Sequence, residues 1–309
     1  MKNFLLFVLL FIPFCINLTA QTDSSKGLYH FEKVCHGMNF PEGPAWDGKG
    51  NLYVSNCYGG WIARISAQKT DTFVTAASKP YSLEKTNGLT VYKDGNIYAC
   101  EYGKGAILRF SPDGKCEPVC EGYMGTKFNR PNDLAFDRSG NLYFTDPKSY
   151  DVNNLDGIIY MIPVGKSEAV QVIKGLGFPN GIAFSPDGKF LFVCESAKQR
   201  ILRFPVFNNG KFGDLQVFAE LPGGDPDGIA FDSKGNLYVA HFGGAAVYVF
   251  SPEGKQLRKI PAPGKKPSNL EFAGNDLKTL YLTEDETNSV YKTTVEIPGS
   301  ALFSSPFPQ

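Results

Sequence analysis

The chain has 309 residues, and its 31 basic and 31 acidic side chains balance to a formal net charge of zero. A chain without net charge has no field that attracts a polyanion, so the composition argues against nucleic acid and acidic membrane surfaces as partners. The length exceeds that of an average domain, but closed all-β folds of this size are often one unit.

The first residues predict an export signal. An apolar run extends from Phe4 to about Cys15, and the small residue Ala20 is the expected cleavage point. We therefore expect a signal peptide over 1–20, a linker over 21–27 and an exported, periplasmic or extracellular protein. Crossing a bilayer takes roughly 20 helical residues. The apolar run is shorter than that, so no membrane span is expected.

The cysteines are compatible with an oxidising compartment. Cys15 lies within the signal, where a lipid-bearing cysteine is an alternative that the bulky Phe14 before it disfavours. The remaining cysteines are even in number, which permits disulfides without requiring them. Cys116 and Cys120 would lie about 13 Å apart on an extended segment, too far to pair with each other. No CxxC occurs, and we expect most of these thiols to be buried in the core.

A repeat runs along the rest of the chain. Six copies of one motif start 41 to 48 residues apart, at Pro41, Thr86, Pro131, Pro179, Pro226 and Pro267. Each copy has a short apolar strand, a turn rich in Asp, Gly, Asn and Lys, and a second strand dominated by Tyr, Val, Leu and Phe, which predicts a β-hairpin. Third and fourth apolar strands follow most copies. Four strands per period of about 40 to 50 residues are typical of a propeller blade.

The last blade lacks one strand, because only five fourth strands lie between the six hairpins. The segment from Leu28 to Gly37 has the pattern of the missing strand, and we predict that it pairs with the blade spanning Leu270 to Val295. Such pairing removes free sheet edges. The predicted fold is therefore all-β: a six-bladed β-propeller over 28–297, with four antiparallel strands per blade, closed by the N-terminal strand and followed by a C-terminal tail over 298–309.

The second position of each repeat carries an oxygen-bearing side chain. We call these six positions the ring residues: Glu42, Asn87, Asn132, Asn180, Asp227 and Ser268. The first strand of a blade lies nearest the propeller axis, so its starting residues should meet at the channel mouth. Buried carboxylates and amides are costly without partners, and a bound cation relieves that cost. An all-oxygen ligand set with two anions favours Ca²⁺, with Mg²⁺, Mn²⁺ and Zn²⁺ as alternatives.

The ring residues also have a structural interpretation. Asn and Asp after proline form turns by bonding their own backbone, and polar groups along a propeller axis can simply hold water. This interpretation fits Asn87 and Ser268 best. It fits Glu42, Asn180 and Asp227 less well, and Glu in particular has no reason to occupy the same position as a turn-forming Asn.

A second column ends the second strand of each hairpin: Asn56, Glu101, Asp146, Glu195, His241 and Glu284. Antiparallel pairing returns these residues to the face where the ring residues begin, so they are candidates for supporting groups or substrate contacts at the pocket rim. Capping of strand ends at the solvent is the alternative. A general base at His241 is conceivable, but a packing role suits it better. The long loop over 146–157 leaves the same face as a candidate lid, or as a loop tolerated without function.

The sequence resembles the senescence-marker-protein (regucalcin)/gluconolactonase/luciferin-regenerating-enzyme family of six-bladed propellers, and its bacterial gluconolactonases in particular. Four motifs carry the resemblance in the family's order across nearly the whole mature chain: FPEGPAWD, FNRPNDLAFDRSGNLYFTDP, FPNGIAFSPDGKFLFVCES and DPDGIAFDSKGNLYVAHFGG. As a set these motifs are specific, although D-G-I-A-F-D alone also occurs in NHL-type propellers. One departure is KSY after FTDP, where relatives often have a Pro-Tyr-Gly run.

The resemblance implies the roles of individual residues. Metal ligands fall on Glu42, Asn180 and Asp227, and Asp227 is also implied as the general base. Substrate contacts fall on Arg130 and Asn132, and Asn132 is sometimes close enough to the metal to count as a ligand. The implied reaction is metal-dependent hydrolysis of a sugar lactone such as glucono-1,5-lactone, so the expected partner is a small-molecule lactone. The oligomeric state is left open.

Two rival functions are compatible with the same fold. A non-catalytic NHL-type propeller would bind a sugar or peptide at the mouth, but binding alone does not need Glu42, Asn180 and Asp227 together. A paraoxonase-like or strictosidine-synthase-like hydrolase is the second rival; the former would need a His pair near the metal, and the three histidines are poorly placed for it. The sequence has no G-x-S-x-G elbow, H-E-x-x-H motif or phosphate loop.

Overall fold

The computed structural model describes residues 29–77, 81–207 and 210–304. The predicted signal peptide over 1–20 and linker over 21–27 lie outside the described residues. Within the described ranges the chain forms six four-stranded antiparallel sheets and one short 3₁₀ helix, Ser196–Lys198. No described helix has the length and hydropathy needed to cross a membrane.

Each sheet is one blade of a propeller, and the first three blades follow the short strand β1 (Glu32–His36). Blade 1 consists of β2 (Pro41–Trp46), β3 (Leu52–Asn56), β4 (Trp61–Ile65) and β5 (Thr70–Thr75). Blade 2 consists of β6 (Thr86–Val91), β7 (Ile97–Glu101), β8 (Ala106–Phe110) and β9 (Cys116–Cys120). Blade 3 consists of β10 (Leu134–Phe136), β11 (Leu142–Asp146), β12 (Gly157–Ile162) and β13 (Val170–Leu176).

The other three blades complete the ring. Blade 4 consists of β14 (Pro179–Phe184), β15 (Phe190–Glu195), β16 (Arg200–Pro205) and β17 (Gln216–Glu220). Blade 5 consists of β18 (Asp225–Phe231), β19 (Leu237–Phe242), β20 (Ala246–Phe250) and β21 (Gln256–Pro261). Blade 6 consists of β22 (Pro267–Ala273), β23 (Thr279–Glu284), β24 (Ser289–Thr294) and, as its outermost strand, β1.

The N-terminal strand closes the propeller, which confirms the prediction. Lys33 of β1 lies opposite Tyr291 of β24, and His36 lies opposite Ser289, in antiparallel register. Gly37 follows the strand with a positive φ of 84°, a conformation that glycine adopts without strain and that ends the extended run. Blade 6 therefore joins the two ends of the propeller chain through hydrogen bonds.

Neighbouring blades pack face to face, so both faces of the inner strands are apolar. Between blades 4 and 5, the rings of Phe192 and Phe231 meet edge to face with centroids 5.0 Å apart. Between blades 3 and 4, Tyr143 and Phe184 meet in the same way at 5.1 Å. Such aromatic pairs add about 0.5–1.5 kcal/mol each beyond the burial of their surface. Side chains between the blades, rather than along the axis, thus form the core.

A β-bulge at the start of the inner strand aims most of the ring residues. In five of the described blades the pairing of the two inner strands shifts at this point; in blade 4, Asn180 and Gly181 together oppose Cys194 alone. A bulge bends its strand and redirects a side chain. The following glycine is required, because a Cβ atom on Gly181 would lie 2.2 Å from the carbonyl oxygen of Asp227 in the next blade.

The cysteines in the described ranges are all free, and Cys35 is the one that is not fully buried. Cys116 and Cys120 begin and end the same strand, β9, and do not pair with each other. These thiols act as small apolar side chains in the core, as expected from the sequence.

The described part of the C-terminal tail packs against the propeller. The backbone amide of Gly299 donates to the carbonyl of Leu277 at 2.8 Å, and the hydroxyls of Ser304 and Thr90 lie 3.2 Å apart. Residues Ser300 to Ser304 line a cavity of about 70 Å³ at the end of the channel opposite to the ring residues. The C-terminal segment thus forms the floor of the channel.

Candidate active site

Five of the six ring residues line one cavity at the mouth of the channel. The cavity encloses about 190 Å³, and these five residues are buried. They are Glu42, Asn87, Asn132, Asn180 and Asp227. Four separate stretches of sequence that the alignment singled out for metal and substrate contacts are therefore brought together in space.

The sixth ring residue, Ser268, is turned away from the cavity, which corrects the prediction that every blade contributes. Its hydroxyl donates to the carbonyl of Pro41 at 2.9 Å and lies 2.8 Å from the hydroxyl of Thr283. Other blades use different hydroxyls for this cross-blade bond: Thr145 donates to the carbonyl of Asn180 at 2.8 Å. The short Ser268 side chain is therefore used to join blades 6 and 1.

Asn87 has an unsatisfied side chain. Its Oδ1 atom has no hydrogen-bond donor in the described part of the chain, although only 4% of the residue is exposed. A turn-forming Asn would bond its own backbone through this oxygen, and Asn87 does not; a polar group that holds water stays an alternative. A buried acceptor without a donor costs about 1–3 kcal/mol, which favours a ligand in the cavity.

The carboxylates of the cavity are buried close to one another. The amide of Gly43 donates to Oε2 of Glu42 at 3.1 Å, yet burial, with the charge of Asp133, raises the Glu42 pKa. Burial raises the pKa of Asp227 well above its ordinary value, and the charges of Glu42 and Asp285 add to the rise. Positive charge in this cavity would relieve both effects.

One carboxylate of the site, Asp133, was not among the residues predicted from the sequence; it occupies the position that follows the ring residue. This position is glycine in four blades, but Asp133 in blade 3 and Asn269 in blade 6. The amides of Leu134 and Ile182 donate to Asp133 at 2.9 and 3.3 Å. Burial nevertheless raises its pKa to about 7. The break in the glycine column is the sequence signal that identifies this residue.

The second-column residues support the cavity from behind. Their side-chain oxygens accept hydrogen bonds from the backbone segment that enters the inner strand of their own blade: Asn56 from Asn39 (2.6 Å), Glu101 from Lys85 (2.7 Å), Asp146 from Arg130 (2.6 Å), Glu195 from Gly177 (2.7 Å) and Glu284 from Lys266 (2.7 Å). All of these acceptors are buried. They are thus supporting groups, and the alternative of solvent-exposed strand caps is wrong.

His241 occupies the equivalent place in blade 5. Its Nε2 atom lies 3.2 Å from the carbonyl oxygen of Leu221, and its ring packs edge-on against Tyr248 at 5.1 Å. The residue is 1% exposed, and burial lowers its pKa. This is the packing role that the sequence favoured over a general base.

Arg130, the predicted substrate contact, is not among the residues that line the cavity, but it lies next to one of them. Its backbone is held by Asp146, and its exposed guanidinium lies over the ring of Tyr102 at 5.9 Å. Tyr102 in turn lines the cavity. Of the two predicted substrate contacts, Asn132 thus lies in the cavity wall and Arg130 lies outside it, beside Tyr102.

The loop over 146–157, the candidate lid, reaches the cavity through one residue, Tyr150. Tyr150 lines the cavity, and its hydroxyl donates to Asp225 of blade 5 at 2.5 Å. Within the loop, Ser149 donates to Asp156 through its amide (2.9 Å) and its hydroxyl (2.8 Å). The bonds between Ser149 and Asp156 hold the loop in shape, and the bond from Tyr150 to Asp225 joins the loop to blade 5.

Aromatic side chains surround the opening of the cavity: Phe40, Tyr58, Tyr102, Tyr150, Phe178 and Phe242. Phe40 and Phe178 precede the repeats of blades 1 and 4, which face each other across the ring. Their φ angles are 63° and 54°, in the left-handed region that bulky residues rarely adopt. Such strain costs about 1–3 kcal/mol and concentrates at functional sites.

The donor set fits a hard cation. Among the described residues, no three His, Cys, Asp or Glu side chains converge closely enough to hold a metal ion alone. A cation would therefore need amide oxygens as well as the carboxylates of Glu42 and Asp227, and Asn180 and Asn132 line the same cavity. Such a mixed, all-oxygen set suits Ca²⁺ or Mg²⁺ better than Zn²⁺.

Comparison with known proteins agrees with this geometry. The chain is 31% identical over 304 residues to a gluconolactonase of Zymomonas mobilis, covering 87% of this chain and 82% of that protein. It is 31% identical over 237 residues to the lactonase drp35 of Staphylococcus saprophyticus, covering 74% of this chain and 72% of that protein.

Solved structures show the same architecture. A gluconolactonase from Xanthomonas campestris superimposes with a TM-score of 0.76 and 29% identity, covering 87% of this chain and 90% of that one. A calcium-binding regucalcin from Agrobacterium tumefaciens shares the fold, with a TM-score of 0.76 at 19% identity, over 91% of this chain and 98% of that one. The family model described as SMP-30/Gluconolactonase/LRE-like region matches residues 40–285. By its fold, its cavity and these matches, the chain belongs to the SMP-30/gluconolactonase/LRE-like family.

Proposed function

We propose that this protein is a lactonase that hydrolyses a sugar lactone such as glucono-1,5-lactone with the help of one divalent cation. The observation that carries the proposal is the convergence of Glu42, Asn180 and Asp227 on one cavity in a chain related to a gluconolactonase and a lactonase. Ca²⁺ is the first choice of ion, with Mg²⁺, Mn²⁺ and Zn²⁺ as alternatives.

The residues around the cavity fit a cation. Glu42 and Asp227 are buried, and each lacks a basic partner among the described ion pairs. The Oδ1 atom of Asn87 has no donor among the described residues. Glu42, Asn180 and Asp227 would hold the ion, with Asn132 as a further ligand. When bound, the ion would polarise the lactone carbonyl and stabilise negative charge on its oxygen.

Asp227 is assigned as the general base. The oxygen of a water molecule bonds to the carbonyl carbon of the lactone, and a proton of that water passes to the Asp227 carboxylate. The bond between the carbonyl carbon and the ring oxygen then breaks, and the proton returns to the departing oxygen. The product is the open-chain hydroxy acid.

Arg130 and Asn132 are assigned to substrate binding. Asn132 lies in the cavity wall and can bond a ring hydroxyl, while Arg130 lies outside the wall, beside Tyr102. The aromatic rings around the opening offer flat surfaces for the CH face of a sugar ring. Tyr150, which lines the cavity and bonds to Asp225 of blade 5, would limit access of bulk water.

The test is metal-dependent turnover of glucono-1,5-lactone by Asp227→Asn. We expect the rate to fall by at least about 100-fold, the usual contribution of a general base, with an unchanged circular dichroism spectrum. The matched control is Asp214→Asn, which removes an exposed carboxylate outside the cavity. Undiminished turnover by Asp227→Asn would contradict the proposal. Sugar or peptide binding by the wild type without turnover would favour the NHL-type alternative.

We also propose that the protein is exported to the periplasm or the extracellular space. The support is the charge and hydropathy pattern of residues 1–20, which lie outside the described residues. The expected mature N-terminus is Gln21. N-terminal sequencing of the protein recovered from the periplasm and medium tests this, and an intact first segment on the recovered protein would contradict it.

A further inference from the structure

Asp285 lies beside the cavity, at a position of the repeat that belongs neither to the ring residues nor to the second column. It follows Glu284, the second-column residue of blade 6. The equivalent residues of four other blades all line the cavity: Cys57, Tyr102, Ser196 and Phe242. Asp285 itself is not among the residues that line the cavity, so the ring symmetry of the propeller places it just outside the cavity wall on the blade 6 side, where Ser268 is turned away.

Asp285 is a buried carboxylate without a bonding partner. Only 9% of the residue is exposed, and neither carboxylate oxygen has a hydrogen-bond partner among the residues that the structure describes. Its backbone is well ordered, because its amide donates to the carbonyl of Lys266 at 2.9 Å. The adjacent Glu284 is different: its oxygens accept bonds from Lys266 and Thr287. Burial of an unpaired carboxylate is costly unless a ligand compensates it.

The charges around Asp285 identify the kind of ligand. After burial, the charges of Glu42 and Glu284 raise its pKa, while the charge of Lys266 lowers it. The charge of Asp285 in turn raises the pKa of Asp227. Asp285 is thus close to both carboxylates assigned to the cation, and the negative groups outweigh Lys266, which is exposed.

We propose that Asp285 is an outer acidic residue of the cation site, supplying negative charge and a water-mediated contact from blade 6. Direct coordination is not proposed, since no three acidic side chains converge that closely among the described residues. The inference rests on the proposed function for the existence of the cation. Partners one step removed from a metal typically change its affinity by about 10- to 100-fold.

The test is calorimetric titration of Ca²⁺ into metal-free protein. Asp285→Asn keeps the shape of the side chain and removes its charge, so we expect Ca²⁺ to bind at least about tenfold more weakly than to wild type. Asp285→Glu should recover part of the affinity. The matched control is Glu286→Gln, which removes an acidic group one residue further along, outside the cavity; it should bind Ca²⁺ as wild type does.

Thermal melting in chelator separates this role from a structural one. Because the Asp285 carboxylate makes no hydrogen bond in the described structure, the Asn variant should melt at or above the wild-type temperature without metal. With Ca²⁺ added, it should gain less than wild type. Equal Ca²⁺ affinities for Asp285→Asn and wild type would overturn this inference alone. If the wild-type protein binds none of the four candidate ions, the cation site itself is overturned. If it binds Ca²⁺ but does not hydrolyse lactones, only the proposed activity is refuted.

Discussion

Asp133 should make the metal-free protein less stable as the pH rises. Its pKa is about 7 in the folded protein, against an ordinary value of 3.8. Between these values the folded protein holds a proton that the unfolded chain has released. The free energy of unfolding should therefore fall by about 1.4 kcal/mol per pH unit across this window, or about 4 kcal/mol in all. Below pH 3.8 Asp133 is protonated in both the folded and the unfolded protein, so it does not affect the free energy of unfolding. Above pH 7 it is ionised in both, and the total loss of about 4 kcal/mol no longer changes with pH.

Calorimetric melting in chelator at pH 5, 6 and 7 measures this effect, with Asp133→Asn as the comparison. The variant loses bonds from Leu134 or Ile182, which lowers its stability by a similar amount at every pH. Its profile should nevertheless be flatter than that of wild type by about 1.4 kcal/mol per pH unit, because the titrating group is gone. Parallel profiles for the two proteins would refute the reasoning.

Three further predictions concern the fold and the lid. Deletion of residues 21–37 removes β1 and leaves the outer edge of β24 unpaired, so the cooperative melt should be lost; an unchanged melting temperature would show that closure by this strand does not stabilise the propeller. Gly181→Ala places a Cβ atom 2.2 Å from a neighbouring carbonyl oxygen, so denaturant titration should show a loss of about 1–3 kcal/mol in the free energy of unfolding. Stability equal to wild type would show that the neighbouring blade can move aside to make room for the Cβ atom. Tyr150→Phe removes the bond to Asp225 and should raise KM severalfold with little change in kcat; equal KM values would show that the lid does not depend on it.

The sequence predicted the fold because the repeat is a local pattern. The spacing of the six motifs required a ring of similar blades, and the strand around Cys35 was the one extended segment without a partner. The second position of each motif identified five of the cavity residues, since equivalent positions of the repeat meet at the axis; in blades 1, 2, 4 and 5 a bulge also lies at this point of the inner strand. Because the six blades are built alike, residues that align in the repeat occupy equivalent places around the propeller axis.

The rest of the site depends on contacts that break the repeat. Ser268 is turned away because a carbonyl of blade 1 lies within reach of its hydroxyl, which no alignment indicates. Asp285 was missed because its column contains Cys, Tyr, Pro, Ser and Phe in the other blades and shows no shared chemistry. The lid was open to two interpretations because the bond from Tyr150 to Asp225 joins residues 75 positions apart in the chain.

The segment from Ser300 to Ser304 closes the propeller channel at the end opposite to the ring residues. A molecule that enters past the aromatic rim must leave by the same opening, since the opposite end is occupied by the chain's own C-terminal segment. Entry and exit then compete for one passage, so each product molecule must depart before the next substrate molecule arrives.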